Sequence, residues 1–187
     1  MADILSVKTK HMATKYNKSM KLPMDNYIAR CVDESFGPSK STNNPMITLK
    51  FEITSPNEVD IAGEKVDVAG LEIKYYATTF NPNDAEKSDK AKDRMVGTPT
   101  RKGLYQLFGL DPAGFNPENP ALGFKGKLVH VRLACDEQAA RKDPTPEQVK
   151  KGEPGDIIKN PVTGDEVKFY IPKIAEIYGL AKEQGSF

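Results

Sequence analysis

Asn44 to Thr54 reads NPMITLKFEIT, and within it Ile47, Leu49, Phe51 and Ile53 alternate with Thr48, Lys50 and Glu52. Strict alternation gives a strand one apolar face and one polar face, so this stretch predicts a half-buried antiparallel strand. The turn-rich run GPSKSTNNP, Gly37 to Pro45, precedes it, and NYIARCVDES, Asn26 to Ser35, comes before that. The two apolar-patterned runs predict a long hairpin, with Gly37, Pro38, Asn43, Asn44 and Pro45 supplying the turn chemistry and Lys40 at the loop's tip.

Working outward, the first strand spans Asn26 to Glu34. Tyr27, Ala29 and Cys31 interleave with Ile28, Arg30 and Val32, so the strand is either covered on both sides or bent. Val59 and Ile61, then Val66 and Val68, are each spaced by two and predict a short edge hairpin or bulged strand. The third main strand is Leu71 to Thr79, with Leu71, Ile73, Tyr75 and Ala77 on one side and Glu72, Lys74, Tyr76 and Thr78 on the other. Asn81 to Val96 is polar and reads as an exposed helix or loop. A clearer helix follows: Thr98 suits its cap, Pro99 its first turn, and Leu104, Leu107 and Phe108 make an apolar stripe that Gly109 ends. Phe115, Leu122 and Phe124 tack a Pro- and Gly-rich loop onto the core. The fourth strand is Lys127 to Cys135, with Val129, Val131, Leu133 and Cys135 facing in and His130 and Arg132 facing out. A charged excursion, Asp136 to Glu166, leads to the fifth strand, Val167 to Ile177, where Pro172 requires an edge position or a bulge.

The order is therefore β-β-β-α-β-β, which predicts a mainly β fold: a five-stranded OB-fold barrel with one helix between strands three and four and long loops. Residues 1–21 read as a basic N-terminal arm, 22–178 as the barrel domain and 179–187 as a tail. The arm holds Lys8, Lys10, Lys15, Lys18 and Lys21 with no acid from Ile4 to Met24; it is either a solvated terminus or an arm that lies along phosphates.

The bulk composition limits the function classes. The chain has 187 residues, 38% hydrophobic, with 14 Gly and 14 Pro, which suits one domain rich in loops. A net charge of +1 means that any polyanion binding depends on how charge is distributed. Cys31 and Cys135 make no disulfide framework and point to a reducing compartment. No apolar run approaches a membrane span and no signal-peptide pattern is present, so the expected location is cytoplasmic and no membrane partner is expected.

Catalytic signatures are absent: the chain has no CxxC, HExxH or GxSxG motif and no Walker-type loop. No cofactor and no metal is expected, and the chain reads as a non-enzyme. Two weaker alternatives stay open. Cys31 and Cys135 would share a metal site if their strands were neighbours, though small buried residues are the plainer reading. Asp33, Glu34, Asp136 and Glu137 close two strands and would hold Mg²⁺ for phosphodiester cleavage if they met at one rim.

The outward face is more informative. Arg30, Lys50, Lys74 and Arg132 fall on polar sides of strands, together with Tyr76; Phe36 and Phe80 lie just past strand ends, and Lys40 lies in the first loop. Cations follow phosphates and flat rings stack on bases at ~1–3 kcal/mol per base, so the set suits a single nucleic-acid strand without sequence preference. Arg141-Lys142 and Lys150-Lys151 in the fourth loop lie where such barrels grip a ligand. Against this, Glu52 and Glu72 share the face with Lys50 and Lys74 and oppose their charge.

The segment KLPMDNYIARCVDESFGPSKSTNNPMITLKFEI resembles the start of phage-encoded single-stranded DNA-binding proteins, through Leu22, Pro23, Tyr27, Ser39, Lys40, Ser41, Asn44, Pro45 and Met46. TRKGLYQLFGL is similar to that family's helix, and FKGKLVHVRL to its fourth strand, so the likeness runs from Leu22 to Tyr178. The resemblance implies an OB-fold that coats exposed DNA during phage replication or recombination in an infected bacterial host, with phage replication proteins as further partners. Many such proteins end in an acidic run and a terminal Phe. Phe187 ends this chain, but Glu183 is the only acid among the last ten residues, a departure from that pattern. The rival expectation is a non-enzymatic protein-interaction or assembly module with an OB-like barrel. The edges at strand five and at Val59 to Val68 permit a homodimer.

Overall fold

A computed structural model of the chain describes residues 13–40, 45–78, 101–111, 113 and 122–182. The strands are β1 Thr14–Lys15, β2 Asn26–Pro38, β3 Pro45–Ser55, β4 Glu58–Ile61, β5 Glu64–Asp67, β6 Glu72–Thr78, β7 Leu128–Ala139 and β8 Lys168–Leu180. The helices are α1 Arg101–Leu107, between β6 and β7, and α2 Pro146–Lys151, between β7 and β8.

The alternation in β3 does what its pattern requires. Ile47, Leu49, Phe51 and Ile53 are buried, and β3 lies inside a five-stranded antiparallel sheet of order β6-β3-β2-β7-β8. Ala29 and Cys31 of β2, Ile73 and Ala77 of β6, Val129, Val131 and Leu133 of β7, and Ile174 and Ile177 of β8 complete the same apolar face. Helix α1 closes its base. Phe108 stacks edge-on against Phe124 at 4.8 Å and lies 6.2 Å from Phe51, while Tyr105 meets Phe124 edge-on at 4.9 Å. Edge-to-face pairs of this kind add to simple area burial. Gly109, in the left-handed region at φ 64°, ends the helix as expected. Thr98, Pro99, Phe115 and Asn81 to Val96 lie outside the described residues.

The mainly β expectation holds, but the five-stranded sheet does not close into the expected barrel. Ladder bonds run from β6 to β8, and no ladder joins β8 back to β6 among the described residues, although the two strands approach within 8 Å. The free edge of β8 is occupied otherwise: the Tyr170 amide donates to the Lys18 carbonyl at 2.7 Å, and α1 packs beside the strand. Pro172 sits on this edge strand, opposite Cys135, where its missing N–H costs no ladder bond inside the sheet.

A second sheet, β1-β5-β4, contains the expected Val59–Val68 hairpin, turned through Ala62 and Gly63, both at positive φ. Its third strand is part of the segment read as an arm. Thr14 and Lys15 pair in parallel with Val66 and Asp67, Tyr16 donates its hydroxyl to the Tyr170 carbonyl at 3.3 Å, and Leu22 is buried. Residues 13–21 thus lie against the body; the earlier lysines lie outside the described residues.

The Asp136–Glu166 excursion is ordered structure. β7 runs four residues past the expected end, to Ala139, and pairs with β8 up to Lys168. Cross-strand ion pairs hold this extension: Lys168–Glu137 at 2.5 Å, and Lys173 with Asp136. Beyond it α2 carries a full capping box between Thr145 and Gln148, a left-handed cap at Gly152, and no buried residue. Gly155 is buried against the Lys142 carbonyl, where a methyl group would overlap it. Among the described residues no helix is long and apolar enough to cross a membrane.

Candidate nucleic-acid interface

The polar face of β6, β3 and β2 is built in rows by their register. Tyr76 lies opposite Thr48, which lies opposite Ser35. The next row is Lys74, Lys50, Asp33, and the one after it Glu72, Glu52, Arg30. Lys40 lies two residues past the end of β2, beyond the Tyr76 row, and is exposed. Tyr76, Lys74, Lys50 and Arg30 therefore fall along one diagonal band across β6, β3 and β2, and Lys40 lies beyond it in the loop that follows β2. Tyr76 is 54% exposed, which leaves much of its ring open at the edge of this polar face.

The rows place like charges side by side: Lys74 opposes Lys50, and Glu72 opposes Glu52. Like charges directly opposite destabilise a ladder. The diagonal relieves this, because Lys50 Nζ lies 2.7 Å from Glu72 Oε1. Lys74 and Arg30 are exposed, and neither is in an ion pair with any described residue.

Arg132 stands apart. It lies opposite Asn26, four residues along β2 from Arg30, or about 13 Å at strand spacing. Its guanidinium lies 3.1 Å from Glu176 on β8. Phe36 does not join the face. Its register partner is the buried Ile47, and it packs against the core side. The cause is a bulge between Cys31 and Asp33, which shifts the strand's alternation by one residue so that the even positions after it point inward. Phe80 lies outside the described residues.

Two roles escape the sequence reading. Tyr178 is 46% exposed on β8, in an irregularity between the His130–Gly179 and Val131–Ile177 pairs. Glu34 pins the loop before β7: Oε1 accepts from the Leu122 and Gly123 amides and Oε2 from the Phe124 and Lys125 amides, at 2.7–3.3 Å. The only signals were Gly179 after Tyr178 and a second acid at Glu34 between Asp33 and Ser35, and both are weak ones.

The alternative chemistries find no assembled site among the described residues. Asp136 and Glu137 are held by Lys173 and Lys168, and Glu34 by backbone amides, so three of the four acids are engaged with separate partners. No group of three or more His, Cys, Asp or Glu is placed to hold a metal among the described residues. Cys31 is buried and donates to the Asp33 carbonyl at 3.4 Å; burial pushes its thiol up to about 12. Cys135 is half-buried, and burial raises it too. On the long hairpin, Arg141 donates to the Gly155 carbonyl at 2.9 Å and lines a depression of about 480 Å³ with Gln138, Ala139 and Phe169. Lys150 and Lys151 occupy the last turn of α2.

Compared with protein-family models and with curated proteins, the chain matches none.

Proposed function

We propose that the chain is a sequence-tolerant, non-enzymatic single-stranded DNA-binding protein of the phage-encoded kind, acting in replication or recombination in the host cytoplasm. The strand order β6-β3-β2-β7-β8, with α1 between β6 and β7, is compatible with OB-fold connectivity without the closing ladder, and it supports that reading. The observation that carries the functional reading is the exposed Tyr76 ring, one row from the Lys74 and Lys50 side chains. A base stacks on Tyr76 while a flanking phosphate meets Lys74, and Lys40, in the loop past β2, meets the strand further along. Arg30 extends the path toward β7, and Arg132 marks its far end. Flat rings accept any base, so no sequence preference follows.

Fluorescence anisotropy with labelled oligo-dT and a duplex of equal length, with chelator present, tests this. Tight single-strand binding that weakens with salt is expected, with Tyr76→Ala losing about 1–3 kcal/mol, roughly five- to 150-fold, at unchanged stability. No binding at low salt, or full affinity in the Tyr76 variant, contradicts it.

One observation favours a second reading. The face carries Asp33, Glu52 and Glu72 against Arg30, Lys50 and Lys74, so these rows sum to no net charge. That balance suits a protein-interaction module, whose signature is self-association or partner binding that survives high salt.

A further inference from the structure

Two of the five placed cations on the binding path are already engaged. Lys50 is paired to Glu72 at 2.7 Å and Arg132 to Glu176 at 3.1 Å, whereas Arg30, Lys40 and Lys74 have no such partner among the described residues. The two acids have the same placement. Glu72 lies on β6 and Glu176 on β8, the outermost strands of the sheet, and each reaches a cation on the neighbouring inner strand. All four side chains are one-third to about one-half exposed, so a phosphate can reach the cations as readily as the carboxylates do.

Resting on the single-strand reading, we propose that Glu72 and Glu176 are specificity-determining residues that select single strands over duplex DNA. Each carboxylate stands where a phosphate would stand. A phosphate that takes Lys50 or Arg132 must displace it and leaves a free carboxylate beside the polyanion, so the pair neutralises no net phosphate charge. A duplex offers this face phosphates alone, with its bases stacked inside, and recovers nothing for the displacement. A single strand is held by stacking on Tyr76 and, being flexible, passes its phosphates to the exposed Lys74 and Arg30 while leaving both pairs intact, so it does not incur the displacement. Discrimination then comes from raising the cost for the wrong partner rather than from tighter binding of the right one.

Glu72→Gln/Glu176→Gln keeps shape and removes both carboxylates. The control is Glu58→Gln/Glu147→Gln, which makes the same change in net charge at two exposed acids on β4 and α2, neither in an ion pair with any described residue. Anisotropy is read for oligo-dT and duplex across a salt series. In the Glu72/Glu176 variant, duplex affinity should rise roughly tenfold, as expected for two exposed pairs. Single-strand affinity should rise less, so the single-strand preference falls. The duplex salt slope should steepen by about 1.8, from about 0.9 for each of two further phosphates neutralised. The control should leave the preference unchanged.

An unchanged preference, or an equal shift in the control, overturns the inference while leaving the single-strand reading intact. A lowered unfolding midpoint with the preference unmoved assigns the two acids to relieving like-charge repulsion and likewise overturns it. Failure of the unaltered chain to bind oligo-dT sinks the single-strand reading and the inference together.

Discussion

The middle of β3 and the far end of the β7–β8 hairpin are both antiparallel ladders, but different forces hold them. At β3 every second side chain is buried, and Phe51 packs between Tyr75, edge-on at 6.5 Å, and Phe108. Beyond Cys135 the hairpin buries little, and it is fixed by two cross-strand ion pairs, a capping box and a close backbone approach at Gly155. A packed ladder is stable against salt and pH. A ladder of exposed pairs is tuned by both, because each such pair is weak and screened. The outer face that we assign to DNA combines the two: a rigid apolar underside carries polar groups whose pairing can be exchanged.

The largest break in this comparison is Phe51→Ala. Removing a fully buried ring should cost about 3–5 kcal/mol of global stability, read from the shift in the denaturant midpoint. Little change would mean that the core is not centred on β3. A smaller, local effect is expected for Gly155→Ala, where the added methyl overlaps the Lys142 carbonyl. Overpacking of this kind costs about 1–3 kcal/mol. Amide exchange across 141–158 should speed up while β3 stays protected, and a matching loss in β3 would show that the hairpin and core unfold as one unit.

The smallest effect is on the Glu137–Lys168 pair. The Lys168 ammonium beside Glu137 holds that carboxyl below its ordinary 4.5, and Glu137 raises Lys168 above 10.5. The pair's contribution is therefore present between those values. It fades as pH falls through the lowered carboxyl value and, separately, as pH rises through the raised ammonium value. Exchange at 137–139 and 168–170 should accelerate toward either limit and in high salt, with β3 amides unaffected by the pairing. A flat response would remove the ion pairs from the hairpin's support.

What could be read from the chain follows from the same contrast. β3, β6 and the inner residues of β7 were legible because burial imposes alternation, and alternation is visible. The order of strands and the helix before β7 followed from it. The hairpin beyond Cys135 was not legible, because exposed ladders leave no apolar period. The Thr14–Lys15 strand was illegible for a different reason: two residues carry no pattern, and their pairing is set by contacts distant in sequence. At the candidate site, Tyr76, Lys74 and Lys50 were legible as outward positions on regular strands. Phe36 was not, because the bulge at Val32 reverses which side chains face out, and the sequence around Cys31 to Asp33 carries no Gly to announce it.

Amide chemical-shift mapping of the labelled chain, titrated with oligo-dT, tests the central claim most directly. The outer face is the platform if the largest changes fall on Tyr76, Lys74, Lys50 and Arg30, with smaller ones at Lys40 and Arg132 and none in the 141–166 hairpin tip. Changes confined to the hairpin, or spread without regard to the sheet's faces, would contradict it.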